Sequence, residues 1–194
     1  MNADDPRPLI LGLGGTTRAG SSSELVLRAA LSAIEARGAR TVMLAGPDLV
    51  IPLYAPETSG RGEGAARLVR LMRECDGVVI SSPGYHGSIS GLIKNALDYA
   101  EDTSKDARPY FDGRAVGCIA CAFGWQATGS TLIALRTIVH ALRGWPTPLG
   151  VAANTTLKLF DESGACIDPG LVSNLAIMAG QVMRLATTHA TYAR

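Results

Sequence analysis

No stretch of this 194-residue sequence approaches the roughly 20 uninterrupted apolar residues a helix needs to cross a bilayer. The opening Met1–Pro8 has no basic stretch followed by an apolar run, so no export signal is expected and the expected location is the cytoplasm. Charge is scarce and balanced. Lys and Arg total 18, Asp and Glu total 17, and charged residues make up 18% of the chain against about 25% in a typical protein. That balance removes the basic footprint of a nucleic-acid binder and the strongly acidic docking face of a soluble electron carrier. Low charge density also leaves more apolar surface to cover, which favours self-association.

Cysteine is sparse, at 4 residues, and in a cytoplasmic chain all are expected to stay reduced. Cys118 and Cys121 have a C-x-x-C spacing but sit in the apolar run Ala115–Ala122, which reads as a strand. Residues three apart on a strand point to opposite faces, so these thiols cannot meet in a disulfide or share a metal. They read as small core residues, and no metal site is indicated elsewhere.

What the sequence does contain is a regular alternation of short apolar runs and helical patterns over a length suited to one domain, 1–194. Strands are expected at Leu9–Leu13, Thr41–Ala45, Gly77–Ser81 and Ala115–Ala122, with a weaker one near Thr147–Ala152. Between Ser22 and Arg37, Val26, Ala29, Ala30, Ala33 and Ile34 share one helical stripe. Ser21 and Glu24 have capping-box spacing at its start, and Gly38 supplies the stop. Further helices are expected over Ala65–Glu74, Ser90–Ala100, around Leu132–Leu142, and at the end of the chain, where Leu175, Met178, Ala179, Val182 and Ala186 share a face. Alternating βα units give an α/β parallel sheet with helices on both faces. Five strands point to the doubly wound order 2-1-3-4-5. A ligand in such a sheet lies beyond the carboxyl ends of the strands at the switch point, which directs attention to the loops after strands 1, 3 and 4.

The first of these loops, Gly14–Ser23, offers glycines for close backbone approach, hydroxyls from Thr16, Thr17, Ser21, Ser22 and Ser23, and the fixed charge of Arg18. It runs into a helix start, where free N–H groups favour an anion, and so reads as a phosphate cradle. Gly15 and Gly20 have P-loop spacing, but Ser21 stands where the lysine belongs, which argues against a nucleotide triphosphatase. Gly12 and Gly14 open a G-x-G-x-x-G pattern, but Thr17 replaces its final glycine. The second loop, Ser81–Gly91, has the rigid backbone edge and apolar face that a flat heteroaromatic ring needs at Pro83, Gly84 and Tyr85, with His86 and Ser88 at its margin. In the helix that follows, Lys94 and Asp98 form an i,i+4 surface pair, and the Asn95 amide is expected to brace the loop before it. The third loop, Phe123–Gly129, places Phe123 and Trp125 near the same ring; core filling or a subunit contact is an equally good use of both.

The phosphate loop Gly15–Ser23 and the segment Ser82-Pro-Gly-Tyr-His-Gly-Ser-Ile-Ser-Gly-Leu-Ile-Lys-Asn-Ala-Leu-Asp98 together resemble the NADPH-dependent FMN reductase family. That family carries a G-S-x-R-x-x-S loop and a P-x-Y-x-x-S-x-x-G-x-L-K-N-x-L-D segment, and the likeness extends over about Leu9–Ala152. The resemblance implies a flavodoxin-like three-layer sandwich. Thr16, Arg18, Ser21 and Ser23, with Ser22 between them, would hold the FMN phosphate. Pro83, Gly84, Tyr85, His86 and Ser88 would line the ring, with Phe123 and Gly124 beside it. It also implies a homodimer or homotetramer that takes hydride from NADPH or NADH and passes it to free flavin for a partner monooxygenase, to a quinone, or to a similar small molecule. Two positions depart from the pattern: Thr16 replaces the usual serine, and Phe123-Gly-Trp-Gln replaces a common Ser/Thr-Gly-Gly run, so Trp125 is expected to narrow the acceptor side. Because the flavin carries the chemistry, no catalytic nucleophile or general base is assigned. The alternatives are a flavodoxin-like carrier or flavin-binding module without reductase activity, and a nucleotide or sugar-phosphate enzyme using the same cradle.

Overall fold

The structure is a computed structural model that describes residues 5–58 and 60–192; Met1–Asp4, Ser59 and the last two residues, which fall within the stretches read above, lie outside it. Leu9–Gly14 forms β1 and is buried along its whole length, as a strand covered on both faces must be. It pairs in parallel with β2 (Arg40–Leu44) on one side and β3 (Gly77–Pro83) on the other, and β3 pairs with β4 (Ala115–Ala122). The order is β2-β1-β3-β4-β5, all parallel, so the doubly wound arrangement is present.

The outer position is shared by two short strands where the sequence pointed to one. β5 (Trp145–Pro146) pairs with Ala115 and Val116, and β6 (Val151–Asn154) pairs with Ile119–Ala122. Pro148 lies between them and has no N–H to give a ladder, so the chain leaves the sheet there. The detour is held by the Thr147 hydroxyl, which donates to Leu149 O (2.9 Å), and by Leu149 N, which donates to the Gln181 side chain (2.9 Å).

Among the described residues five α-helices cover the sheet: α1 (Ser22–Glu35), α2 (Glu63–Glu74), α3 (Gly91–Asp98), α4 (Trp125–Ala141) and α5 (Pro169–Tyr192). α1 and α5 pack Val26, Leu27, Ile34, Met178 and Val182 against Ile10, Val79, Ile119 and Cys121. The helices α2, α3 and α4 pack Leu68, Met72, Ile93, Leu135 and Val139 against Leu11, Leu13, Val78, Ile80 and Cys118 on the opposite face. Cys118 and Cys121 therefore lie in different cores on opposite faces of β4, as the strand reading required. All five positions expected on the buried face of the last helix are in the α1–α5 core.

α4 begins at Trp125, well before Leu132, so the third loop is only Phe123 and Gly124. The signal was hidden because Thr128, Gly129, Ser130 and Thr131 are weak helix formers. The three hydroxyls among them are turned back into the helix: Thr128 donates to Trp125 O, and Ser130 and Thr131 donate to Ala127 O. Asn95 is a second correction. Its amide braces the chain after β2, accepting from Tyr54 N (2.8 Å) and donating to Pro52 O (3.0 Å), and makes no bond to the loop that precedes α3. Lys94 and Asp98 form the expected exposed ion pair at 2.6 Å.

Candidate active site

The carboxyl ends of β1, β3, β4 and β6 open onto one cleft of about 260 Å³, just below the roughly 300–1,000 Å³ usual for small-ligand sites. One end is built by the turn between β1 and α1. Gly15 is packed so closely that a Cβ would stand 2.5 Å from Pro83 Cδ and 2.9 Å from Ser81 O, which brings this turn against the end of β3. Ser21 caps α1, its hydroxyl accepting from Glu24 N at 3.4 Å and lying 3.3 Å from the Ser23 hydroxyl. The reciprocal half of the expected capping box is displaced by one residue: Glu24 accepts from Gly20 N (3.0 Å) and pairs with Arg28 (2.9 Å). Glu24 is thereby turned away from the cleft, whose lining contains no carboxylate among the described residues.

The first intrahelical bond of α1 runs from Leu25 N to Ser21 O, which leaves the N–H groups of Ser22 and Ser23 without a helical acceptor. Both residues line the cleft with Thr16, Ser21 and Arg18. Arg18 is exposed; its carbonyl accepts from the Thr16 hydroxyl (3.1 Å), and its guanidinium has no hydrogen bond or ion pair among the described residues. Five residues thus supply hydroxyls, first-turn N–H groups and an unpaired guanidinium to one end of the cleft. That donor set matches a phosphate monoester.

The other end is the β3–α3 loop. Tyr85 and Ser88 exchange both backbone hydrogen bonds (2.9 and 3.1 Å) and close a two-residue turn through His86 (φ 51°) and Gly87 (φ 84°). Positive φ at both central residues is the geometry of a tight hairpin turn. It makes the loop a rigid projection, with Ser82 Oγ at its base accepting from Ser90 N (3.0 Å). Gly84 donates to Cys121 O (2.8 Å), and a Cβ on it would meet Thr131 Oγ1 at 2.6 Å and Ala122 Cβ at 3.0 Å. The result is a flat, preformed edge. Pro83, Gly84, Tyr85 and Phe123 line the cleft; His86 and Ser88 lie on the exposed hairpin and Gly124 follows Phe123, all three just outside the lining.

Three lining residues escaped the sequence reading: Cys121, Ala122 and Thr155. Cys121 is 4% exposed and lies 3.8 Å from the Ser81 hydroxyl, and burial pushes its thiol up to about 12. It is therefore a neutral wall. Thr155 follows β6, and its N–H donates to Ala122 O (2.9 Å). Its presence depends on β6 lying beside β4, which no local pattern announces. Arg37, Arg40 and Arg108 do not line the cleft. Arg37 bonds Ala33 O and Ala176 O, Arg40 bonds Arg7 O, and Arg108 bonds Asp112 O.

A doubly wound sheet with an anion cradle and a flat apolar edge facing each other at its switch point defines a flavodoxin-like protein. The sequence model of the NADPH-dependent FMN reductase family matches residues 8–157, and the chain belongs to that family. Among curated proteins, it is 40% identical to the FMN-dependent NADPH-azoreductase of Staphylococcus saprophyticus over 91 residues, 46% of this chain and 45% of that one. It is also 40% identical to the NADPH azoreductase of Bacillus sp. strain OY1-2 over 60 residues, 30% of this chain and 34% of that one. The alignments span less than half the length of these relatives. Among solved structures, the flavoenzyme NAD(P)H:(acceptor) oxidoreductase FerB from Paracoccus denitrificans superposes with a TM-score of 0.78 at 18% identity, covering 94% of this chain and 98% of that one. A WrbA-like flavodoxin from Agrobacterium tumefaciens superposes at 0.65 and 14% identity, covering 94% and 99%. At these identities both show the shared fold.

Proposed function

We propose that this protein is an NAD(P)H-dependent flavin reductase that binds FMN in the cleft and passes reducing equivalents to a small acceptor. The observation that carries the reading is the pairing of a carboxylate-free anion cradle, with Arg18 unpaired, and a rigid apolar edge at one switch point. Family membership and the azoreductase relatives support it. Thr16, Arg18, Ser21, Ser22 and Ser23 hold the phosphate. Pro83, Gly84, Tyr85 and Phe123 line the ring, bordered by His86, Ser88 and Gly124.

Bound FMN supplies the hydride-accepting and hydride-donating chemistry. The chain contributes position and electrostatics. The first turn of α1 and Arg18 compensate the phosphate charge, and the Pro83–Ser88 hairpin gives a fixed backbone edge. Tyr85 and Phe123 line the cleft and are 52% and 84% exposed, and Trp125 follows at the start of α4, 61% exposed; these rings keep water from part of the opening once a flat partner covers them. No histidine, lysine or carboxylate lines the cleft among the described residues, so no single side chain is assigned a proton-transfer role. The hydride donor is NADPH or NADH, and the acceptor is a quinone, an azo compound, or free flavin destined for a partner monooxygenase. The exposed apolar residues Val50, Leu53, Ile133 and Trp145 favour a homodimer or homotetramer working in the cytoplasm.

The test is the visible spectrum of the purified protein and its oxidation of NADPH and NADH with and without added FMN. A yellow protein that bleaches anaerobically with either nicotinamide is expected. A carrier would bind FMN without consuming the nicotinamide. A colourless protein that takes up no FMN would overturn the reading.

A further inference from the structure

Gly124 sits between Phe123, which lines the cleft, and Trp125, the first residue of α4. Its backbone (φ 110°, ψ 155°) is in a region open essentially to glycine alone. Such a conformation persists only where neighbouring bonds hold it. Gly124 N donates to Ala122 O (3.1 Å) and also to Asn154 Oδ1 (3.0 Å).

Asn154 is the last residue of β6, paired with Ala122 across the sheet, and is 5% exposed. Its Oδ1 accepts three donors: Gly124 N, Thr156 N at 3.0 Å and Thr156 Oγ1 at 2.8 Å. The last two form a local turn in which an Asn side chain ties down its own backbone two residues on. One buried oxygen thus locks the loop after β6, which carries the cleft residue Thr155, to the loop after β4, which carries Phe123 and leads into Trp125.

We propose that Asn154 is a positioning residue that fixes Phe123 in the cleft lining, with Trp125 beside it at the start of α4, and so sets the enzyme's preference for flat aromatic acceptors over compact ones. The inference rests on the flavin-reductase reading. Phe123 and Trp125 are the large exposed aromatics on the two sides of the held glycine, and flat acceptors gain most from rings already fixed in place. The phosphate cradle is built by the β1–α1 turn, to which Asn154 makes no hydrogen bond, and Phe123 is one of four residues lining the ring, so FMN affinity is less sensitive to Asn154 than the acceptor side is.

The experiment compares Asn154→Ala and Asn154→Asp with the parent, using menadione as the flat acceptor and ferricyanide as the compact one. Asn154→Ala is expected to raise the KM for menadione on the order of 10-fold, the scale of one buried hydrogen bond. The KM for ferricyanide is expected to stay within about 2-fold, and the Kd for FMN, whose ring meets Phe123 among several contacts, to rise by less than the menadione KM, within about 3-fold. Asn154→Asp keeps the acceptor oxygen and is expected to recover most of the menadione KM. Loss of both acceptors and of FMN binding in parallel, no change in either acceptor, or failure of Asn154→Asp to recover would each overturn the assignment. If Asn154→Ala does not fold, Thr156→Val removes one of the three bonds and is expected to raise the menadione KM by about 2- to 3-fold; an unchanged value overturns the assignment.

A second readout needs no flavin. The chain has 2 tryptophans, so Trp145→Phe leaves Trp125 as the single emitter. In that background Asn154→Ala is expected to lower the anisotropy of Trp125 emission and Asn154→Asp to restore it. If the parent binds no FMN, the reductase reading fails while the anisotropy still decides whether Asn154 holds the loop.

Discussion

Arg18 stands exposed beside the first turn of α1, its guanidinium without a partner among the described residues, whereas Arg28, Arg61 and Arg73 each have a carboxylate. An unpaired guanidinium among hydroxyls and free N–H groups is poised for a doubly charged oxyanion. Removing it as Arg18→Ala should weaken FMN binding by roughly 10- to 100-fold, the scale of a charge-assisted hydrogen bond, with stability unchanged. Flavin fluorescence titration measures this, and an unchanged Kd would move the phosphate elsewhere. The cysteines give a second prediction at this scale. Burial pushes Cys75 up to about 11 and both Cys118 and Cys121 up to about 12, from an ordinary 9.0. All three hold their protons more tightly folded than unfolded, so their contribution to stability is intact below pH 9 and falls as pH rises toward 12. Iodoacetamide at pH 8 should spare these three in the native protein, modify Cys166 slowly, and modify all four in urea, as read by intact mass.

Among the elements, α2 shows how a charge is used structurally. Arg114 is 0% exposed and has no carboxylate partner among the described residues. Its guanidinium donates to Arg73 O (2.9 Å), Cys75 O (2.8 Å) and Tyr110 O (2.9 Å), so it closes the C-terminus of α2 and ties it to the chain before β4. A cation is favoured there, and its planar fork reaches three carbonyls at once. Arg114→Met should cost about 3 kcal/mol or more because it leaves buried carbonyls unpaired, and Arg114→Lys should recover only part of that. Urea unfolding of both variants is the measurement, and an Arg114→Met chain as stable as the parent would show that water replaces the side chain. Sequence periodicity marked α2 and β4 correctly but could not mark this link, because Arg114 sits in a connection where arginine is ordinarily solvated. The start of α4 was missed for the converse reason: its residues are poor helix formers locally, and tertiary packing of Thr128 and Thr131 overrides that preference.

For the whole molecule, a ligand that binds only the folded state stabilises it by mass action. FMN at about 100 times its Kd should add roughly 2.7 kcal/mol, or about 5–10 °C in Tm for a domain of this size. Differential scanning fluorimetry with FMN and with riboflavin separates the cradle from the ring: riboflavin lacks the phosphate and should shift Tm much less. Equal shifts would show that the β1–α1 turn contributes little.

The strand order, the two helical layers and most of the cleft were legible in the chain because each rests on a local signal. Buried strands read as apolar runs, covering helices as stripes, and the parallel order fixes which loops meet. Thr16–Ser23 and Pro83–Tyr85 could be placed on that basis alone. What only the tertiary structure decided is nonlocal. The division of the outer strand into β5 and β6 put Thr155 and Asn154 beside the end of β4, and Cys121 became a cleft wall because its face of the sheet ends there. Asn95 found its partners in a segment more than forty residues earlier in the chain. A side chain's type and spacing show what it is able to bond; which distant backbone arrives within hydrogen-bond reach is settled only when the sheet closes.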